Sequence, residues 1–185
     1  MGLVLTTPPA VEPVTLDEAK AHLRVDTNGD DALIARLIAS ARERAEAVTG
    51  RAFIAQGWTL ALDAWPASRT IVLPKPPLVS VASVTLADRA GDASVLDADA
   101  YIVDTAAARI VLKSTSALPA TLAEANAVAV AFTAGYGADA DDVPAAIRQA
   151  ILAIVAELYE KRGDEAVAMP AQALSLLAPY RVLNL

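Results

Sequence analysis

The spacing of apolar residues changes twice along this chain, and this change constrains the fold more than any other feature. Within residues 15–49, and again within 143–162, apolar residues recur every three or four positions, the period of an amphipathic helix. Between them, residues 53–136 hold short runs rich in Val, Ile and Thr, separated by Pro, Gly and Asp. Such runs are typical of antiparallel strands. The sequence therefore predicts an α+β fold, with a helical core of about four helices and a small inserted antiparallel β lobe.

The helical parts carry clear end signals. Thr15 and Glu18 match a capping box at the start of the first helix. Gly50 follows the second helix, at a position where a left-handed residue commonly ends a helix. Pro144 is expected at the first position of a third helix, and Pro170 is expected to open a short fourth one. The predicted organisation is an extended N-terminal arm over 1–13, a helical core over 14–52 and 138–178, a β-rich insertion over 53–137 and a C-terminal docking tail over 179–185.

Charge and composition exclude several kinds of function. The 185 residues carry a net charge of −7, which argues against wrapping a duplex by neutralising its phosphates. Only 4% of residues are aromatic, so few side chains could stack on single-stranded bases. The chain has no Cys and therefore no disulfide or thiolate site. Its longest apolar run, residues 150–156, is too short to cross a bilayer, and no membrane partner is expected.

Few residues in this chain carry chemistry. His22 is the only histidine, and Glu18 precedes it by one helical turn, but no third ligand for a metal is indicated nearby. The segment 26–30 resembles the start of a calcium loop, yet the pattern would need glycine and glutamate where Asp31 and Leu37 stand. Acidic residues at 139, 141 and 142 precede the third helix, and their negative charges are expected to stabilise its N-terminus. We therefore predict no catalytic residue, no metal and no cofactor.

The C-terminal end of the chain is unusually apolar. Chain ends are commonly polar and frayed, whereas this one contains Leu176, Leu177, Tyr180, Val182, Leu183 and Leu185. Either this segment packs back on its own core, or it docks into a partner as an apolar anchor.

Taken together, several segments resemble one known family. They are PVTLDEAKAHLRVD, DDALIARLIASARERAEAVTGRAF, WTLALDAWP, IVLPKPPLVSVASV, AGYG, VPAAIRQAILAIVAELYEKRG and LLAPYRV, and they span nearly the whole chain. Their order and spacing resemble the head–tail connector (adaptor, or head-completion) family of long-tailed phages, prophages and gene transfer agents. The resemblance implies a structural protein without enzymatic activity, made in the bacterial host cytoplasm and located at the head–tail junction of the particle.

The resemblance also implies partners. It implies a ring, typically of twelve subunits, that lies beneath the portal, extends the DNA channel and offers a surface to a stopper or tail protein. DNA would pass through the lumen without specific binding. By the same resemblance, the portal-contact candidates are Leu177, Pro179, Tyr180, Arg181 and Val182. Charged helix residues that could pair between ring neighbours are Arg36, Arg42, Glu43, Arg44 and Glu46.

Other functions remain open at the level of sequence. The chain could be the tail-side stopper of the same kind of particle. It could also be a small ligand-binding or hydrolase domain that uses the β lobe as a pocket, or a regulatory helical module with an unrelated partner.

Overall fold

The computed structural model describes residues 1–119, 121–162 and 167–182. The chain divides into two compact units. One unit, called the β unit here, comprises residues 1–9 and 55–135, and the other, the helical unit, comprises residues 10–54 and 136–185. The predicted α+β class is confirmed, because the described residues form four α-helices and two antiparallel sheets.

The helical unit is built around one apolar cluster. Its helices are α1 (Leu16–Leu23), α2 (Asp31–Thr49), α3 (Ala145–Glu160) and α4 (Ala171–Leu177). Each longer helix has an apolar stripe, such as Ile147, Ile151 and Ile154 on α3, that is fully buried in this cluster. Small residues of α2, Ala41 and Ala45, belong to the same buried cluster. Burial of these stripes is the main source of stability for the unit.

A five-stranded antiparallel sheet dominates the β unit. The strand order is β1 (Gly2–Thr7), β2 (Gln56–Leu62), β8 (Val128–Ala134), β4 (Leu78–Ala87) and β5 (Ala93–Val95). Leu60, Val130 and Val84 lie opposite one another on adjacent strands and are completely buried. One face of this sheet is therefore a core face, as the alternation of burial along β8 also shows.

A second sheet of three strands lies in the same unit. Its order is β3 (Thr70–Val72), β7 (Arg109–Leu112) and β6 (Tyr101–Asp104). Ile71 and Ile110 pair directly and are buried, so this sheet too has one core face. Arg69 stands beside it and donates hydrogen bonds to the backbone carbonyls of Leu112, Lys113 and Ser116.

The strand pattern was predicted well in the middle of the chain and less well elsewhere. The runs read as strands from their period correspond to β2, β3, β4, β6, β7 and β8. Residues 2–7, assigned from sequence to an extended arm, instead form edge strand β1, paired with β2. Residues 93–95, which were not predicted as a strand, form the short strand β5. Both missed strands lie at an edge of the five-stranded sheet; β1 pairs with the distant strand β2, whereas β5 pairs with the preceding strand β4.

Helix ends follow the sequence signals closely. The capping box is present, with the Thr15 hydroxyl accepting from the Glu18 N–H and the Glu18 carboxylate accepting from the Thr15 N–H. Gly50 has a φ of 73° at the end of α2. Pro144 is the residue before α3, not its first residue, and a short turn at Ala140–Asp142 precedes it. Among the described residues, no helix is long and apolar enough to cross a membrane.

Candidate partner-contact surface

The segment that contains the predicted portal-contact residues is tied to α2 at both of its ends. Arg44 donates to the carbonyl oxygen of Val167 at the start of the segment. At its other end, Arg51 Nε lies 2.5 Å from the carbonyl oxygen of Tyr180. The N–H of Val182 donates to the carbonyl oxygen of Thr49 at 2.8 Å. Residues 167–182 thus pack back on the helical unit. This arrangement is the first of the two alternatives given above for the apolar end.

The end of α2 is shaped to receive this segment. Gly50 takes the left-handed conformation that ends the helix, which only glycine adopts without strain. A Cβ at Gly50 would lie 3.5 Å from Cβ of Val182, so the two backbones approach closely here. Because the helix stops at Thr49, its terminal carbonyl is free to accept from Val182.

Within the segment, exposure separates anchoring residues from residues that face solvent. Leu177 is 0% exposed and belongs to the helical core. Because its side chain is part of this core, Leu177 is left out of the contact surface proposed below. Tyr180 is half-buried and packs on the same core.

Three of the predicted portal-contact residues, Pro179, Arg181 and Val182, face solvent, and with the exposed Leu174 of α4 they define what we call the C-terminal surface. Leu174, Pro179 and Val182 give it an apolar character. The guanidinium of Arg181 makes no ion pair or hydrogen bond with the residues that the structure describes. The surface therefore combines apolar area with one uncompensated positive charge, a composition common at the centre of protein interfaces.

Two of the charged residues predicted between subunits are instead used inside the helical unit. Arg42 and Glu46 are both buried and are joined by a 3.0 Å hydrogen bond from Nη1 to Oε2. Arg42 Nε also donates to Glu12 at 2.8 Å, and Glu46 Oε1 accepts from the N–H of Phe53. Both residues are 6% exposed and are paired within the unit, so we do not carry them forward as inter-subunit contacts. The reason is packing, which a helix-face pattern does not reveal.

This buried cluster of charges holds three segments together. Burial alone would lower the pKa of Arg42, but the hydrogen bond to Glu12 and the charges of Glu46, Glu12 and Glu43 outweigh it and raise that pKa. The guanidinium is therefore always charged. It joins α2 to the segment before α1, while Glu46 joins α2 to the chain that follows Gly50. A buried pair of this kind is costly to break because the remaining charge has no partner.

The other three inter-subunit candidates differ in exposure. Arg36 is exposed and has no partner among the described residues. The Glu43 carboxylate is also exposed and lies 3.6 Å from Arg42. Arg44 is half-buried and is already engaged with Val167. Only Arg36 and Glu43 of the predicted set therefore face outward on α2.

The candidate chemical groups are engaged in structural contacts. His22 is exposed near the end of α1. Glu18 is hydrogen-bonded within the capping box and forms an ion pair with Arg148, not with His22. Its pKa is lowered, chiefly by the hydrogen bond from the Thr15 N–H. Asp142 accepts from the N–H of Asp139, and Asp141 pairs with Arg148. Among described residues, no group of three or more His, Cys, Asp or Glu could hold a metal ion.

Further side chains of the calcium-like segment are likewise occupied. Lys20 Nζ donates to Asn28 at 2.8 Å and to Asp31 at 2.7 Å. Asp30 accepts from the Tyr159 hydroxyl, which lowers the pKa of Asp30 and raises that of Tyr159. These contacts fasten the start of α2 to α1 and to the end of α3.

The helical unit also has an open groove of about 390 Å³. Its walls are residues of the segment before α1, of α2 and of the turn at 139–140, including Val11, Leu16, Ala35 and Asp139. Glu12, which lines it, is held by Arg42. The lining of the groove is mostly apolar, and the Thr15 hydroxyl at its wall is used in the capping box with Glu18.

Comparison with known proteins assigns the chain to a family. The family model described as head completion protein matches residues 12–183. The chain belongs to the head completion protein family. No curated protein sequence matches it.

Solved structures similar to this head completion protein come from gene transfer agent particles. A chain in the virion of a native gene transfer agent particle is 28% identical, with a TM-score of 0.82 over 100% of this chain and 97% of that one. A chain in the neck of an empty particle, computed with C6 symmetry, is 29% identical, with a TM-score of 0.83 over the same shares. A chain in the neck of a native particle, computed with C12 symmetry, is 30% identical, with a TM-score of 0.76 over 98% and 97%.

Sequence reasoning missed the residues that anchor the C-terminal segment of this head completion protein. Arg51 and Thr49 bind backbone groups of Tyr180 and Val182, more than 120 positions later in the chain. No periodicity or motif marks such a contact, because the acceptor or donor is a backbone atom that every residue possesses. The Gly50 helix end was the one local signal near this site.

Proposed function

We propose that this chain is the structural adaptor between the head and the tail of a phage-like particle, located at the head–tail junction. In this proposal it forms a ring beneath the portal, extends the DNA channel and offers its far side to a stopper or tail protein. The observation that carries the proposal is the agreement of nearly the full chain with neck chains of gene transfer agent particles. Membership of the head completion protein family supports the same role.

A ring of twelve subunits is the proposed assembly. It is supported by the C12 symmetry of the native-particle neck that contains a chain 30% identical to this one. In a closed ring each subunit contacts its neighbours through two different surfaces, in a head-to-tail arrangement. Arg36 and Glu43 are exposed on α2 and are the proposed charged residues of such a contact.

The C-terminal surface is the proposed contact with the portal. It comprises Leu174, Pro179, Arg181 and Val182, and Tyr180 supports it from below. Its support is the combination of exposed apolar area and an unpaired guanidinium, held in place by Arg51 and Thr49. Leu183 and Leu185, which were part of the predicted apolar tail, lie outside the described residues.

The proposed channel is passive toward DNA. The net charge of −7 gives an acidic protein, and a wall without clustered Lys and Arg does not hold phosphates. DNA would therefore pass without specific binding.

A charge reversal in the C-terminal surface tests the portal contact. Arg181 is exposed and unpaired, so Arg181→Glu is expected to leave the free energy of unfolding within about 0.5 kcal/mol of the parent. It is expected to abolish capture of the chain by immobilised portal protein. Arg89→Glu, the same change at an exposed residue of the β unit, is the matched control and should bind portal normally. Equal binding by both variants would refute the contact.

Imaging tests the function as a whole. Particles from cells in which this gene is deleted are expected to be filled or empty heads without attached tails. Particles from wild-type cells should show this chain as a ring between portal and tail. Tailed particles in the deletion strain, or the absence of the chain from the neck, would overturn the proposal.

A further inference from the structure

The five-stranded sheet of the β unit ends in two open edges. β1 is at one edge and β5 at the other. In the part of the chain that the structure describes, no backbone group pairs with the far side of either strand. Unpaired N–H and C=O groups along an edge are a template for a further strand.

Residues 2–5 of the β1 edge carry none of the features that usually block such pairing, and the β5 edge is limited only by its length of three residues. Proteins protect edges with charged residues, prolines and bulges. Residues 2–5 of β1 contain none of these, and the bulge and the two prolines of this region come only after Leu5. Val4 is 60% exposed at one edge, and Val95 is 70% exposed at the other. These are large fractions for apolar side chains in strands.

The solvent-facing side of this sheet is uncharged from one edge to the other. Registers place Gly2, Ala61, Ala129, Thr85 and Val95 in one row across all five strands. The next row contains Val4, Thr59, Ala131 and Ser83. Residues opposite one another in neighbouring strands share a face, so Val4 and Val95 lie on the same face. If β5 of one copy paired with β1 of another, the uncharged face of the two sheets would be continuous across the contact.

Strand direction limits how two copies could join. Every neighbouring pair in the sheet is antiparallel, so β1 and β5, four strands apart, run in the same direction. In a twelvefold ring, successive copies are rotated by about 30°, which is within the usual twist between adjacent strands. Such a rotation nearly preserves strand direction. It therefore favours parallel pairing of β5 with β1.

We propose that the open edge of β1 receives strand β5 of a second copy of this chain, so that the sheets join around the ring. This inference rests on the proposed ring function and adds a contact made by the β unit to the contact proposed above for α2. Three observations select a second copy as the occupant. The two edges are different and lie on opposite sides of one sheet, as a head-to-tail contact requires. They share a face, and their uncharged residues let acidic copies meet without opposing like charges.

Engineered cysteines test this contact directly, because the chain has none of its own. The variant Val4→Cys/Val95→Cys would be produced with the remaining particle genes, and purified particles treated with a short thiol-reactive cross-linker. We expect a ladder of covalent multimers of this chain on a denaturing gel. The single variants Val4→Cys and Val95→Cys should give monomer only.

Each other result overturns the inference in a distinguishable way. Dimers from Val4→Cys alone would indicate that two β1 edges meet about a twofold axis, and a cross-link to another protein would make that protein the occupant. Particles that contain the double variant without a ladder, together with equal retention of the two lysine variants described next, would refute the strand contact and leave the neck function intact. Absence of this chain from purified particles would refute both.

A second pair of variants tests the contact without requiring that residues 4 and 95 of neighbouring copies lie within reach of the cross-linker. Val4→Lys places a charge on the β1 edge, and Val72→Lys places the same charge at a valine of β3 that is 69% exposed. Both should fold with unchanged circular dichroism and thermal midpoint. We expect Val4→Lys to be lost from particles and Val72→Lys to be retained, and equal retention would overturn the inference.

Discussion

Nε of Arg51 lies 2.5 Å from the carbonyl oxygen of Tyr180, so a residue just after α2 holds the last described segment of the chain in place. Val182, two residues further on, is bound to Thr49 on the other side of Gly50. These two contacts make the C-terminal surface part of the helical unit. Its shape therefore depends on the end of α2.

Arg51→Ala should loosen the C-terminal segment. Loss of a hydrogen bond from a charged donor is expected to lower the free energy of unfolding by about 1.5 kcal/mol. Urea denaturation measures that change, and faster hydrogen exchange at the Val182 amide would localise it. Arg181→Ala, which removes an unpaired arginine from the same segment, is the control and should alter neither quantity. Unchanged exchange at Val182 in Arg51→Ala would show that the contact does not hold the segment.

Arg42→Met should be among the most destabilising substitutions in α2. It leaves the Glu46 carboxylate buried without its cation, and breaking such a pair costs about 3–5 kcal/mol. Thermal and urea unfolding measure the loss. The double variant Arg42→Met/Glu46→Gln, which removes the stranded charge and keeps an oxygen for the Phe53 N–H, should recover part of it. Arg36→Met, at an exposed position of the same helix, should change stability by no more than about 0.5 kcal/mol.

Glu18 should make stability depend on pH in the acidic range. Its pKa lies below the ordinary value of 4.5, first because of the Thr15 N–H and further because of the Thr15 hydroxyl and Arg148, against desolvation. A group whose folded-state pKa is lowered stabilises the fold above its unfolded-state pKa and loses this effect as pH falls through the folded-state value. Glu18→Gln should therefore be less stable than the parent at pH 7. The difference should shrink as the pH falls below 4.5. A difference that is constant from neutral to acidic pH would contradict this role.

Thr15→Ala should weaken the same helix start and also remove one of the hydrogen bonds that lower the pKa of Glu18. Loss of the capping hydroxyl is expected to cost about 1 kcal/mol, measured by urea denaturation at pH 7. Thr27→Ala, at an exposed loop threonine, provides the comparison and should have little effect. Equal stability of the two variants would show that the cap contributes nothing measurable.

Gly137→Ala should disturb the turn before α3. A Cβ there would lie 2.0 Å from Oδ2 and 2.6 Å from Cβ of Asp142, so the whole side chain would have to move. The hydrogen bond from the Asp139 N–H to Asp142 would be lost. We expect a loss of about 1–3 kcal/mol in unfolding free energy. Gly137→Ala/Asp142→Ala should be less destabilised than the sum of its single variants, and strict additivity would argue against the clash.

Local patterns predicted most of the secondary structure of this chain. The three- and four-residue spacing identified the four helices, and the capping pairs and Gly50 located several of their ends. The same patterns failed for β1 and β5. A strand of three to six residues at the edge of a sheet is stabilised by its partner strand, here β2 or β4, and only weakly by its own residues.

The partner-contact residues were only partly predictable for a similar reason. Leu177, Pro179 and Val182 are all apolar or uncharged, yet Leu177 is buried in the core and the other two are exposed. A test by truncation after Leu174 would therefore remove a core residue together with the proposed contact. Arg36 and Arg42 look equivalent in sequence, and only one of them reaches solvent.

The amino-acid sequence by itself determined the α+β class, the positions of the helices, the scarcity of chemical groups and the family resemblance. These properties depend on residue identity and on spacing within a few turns or strands. Only the tertiary structure shows that β1 is an edge strand of a sheet and that Arg42 and Glu46 are buried. It also shows that the Arg51 side chain contacts the Tyr180 carbonyl oxygen. Each of these depends on groups far apart in the chain, whose approach is set by the packing of the whole unit.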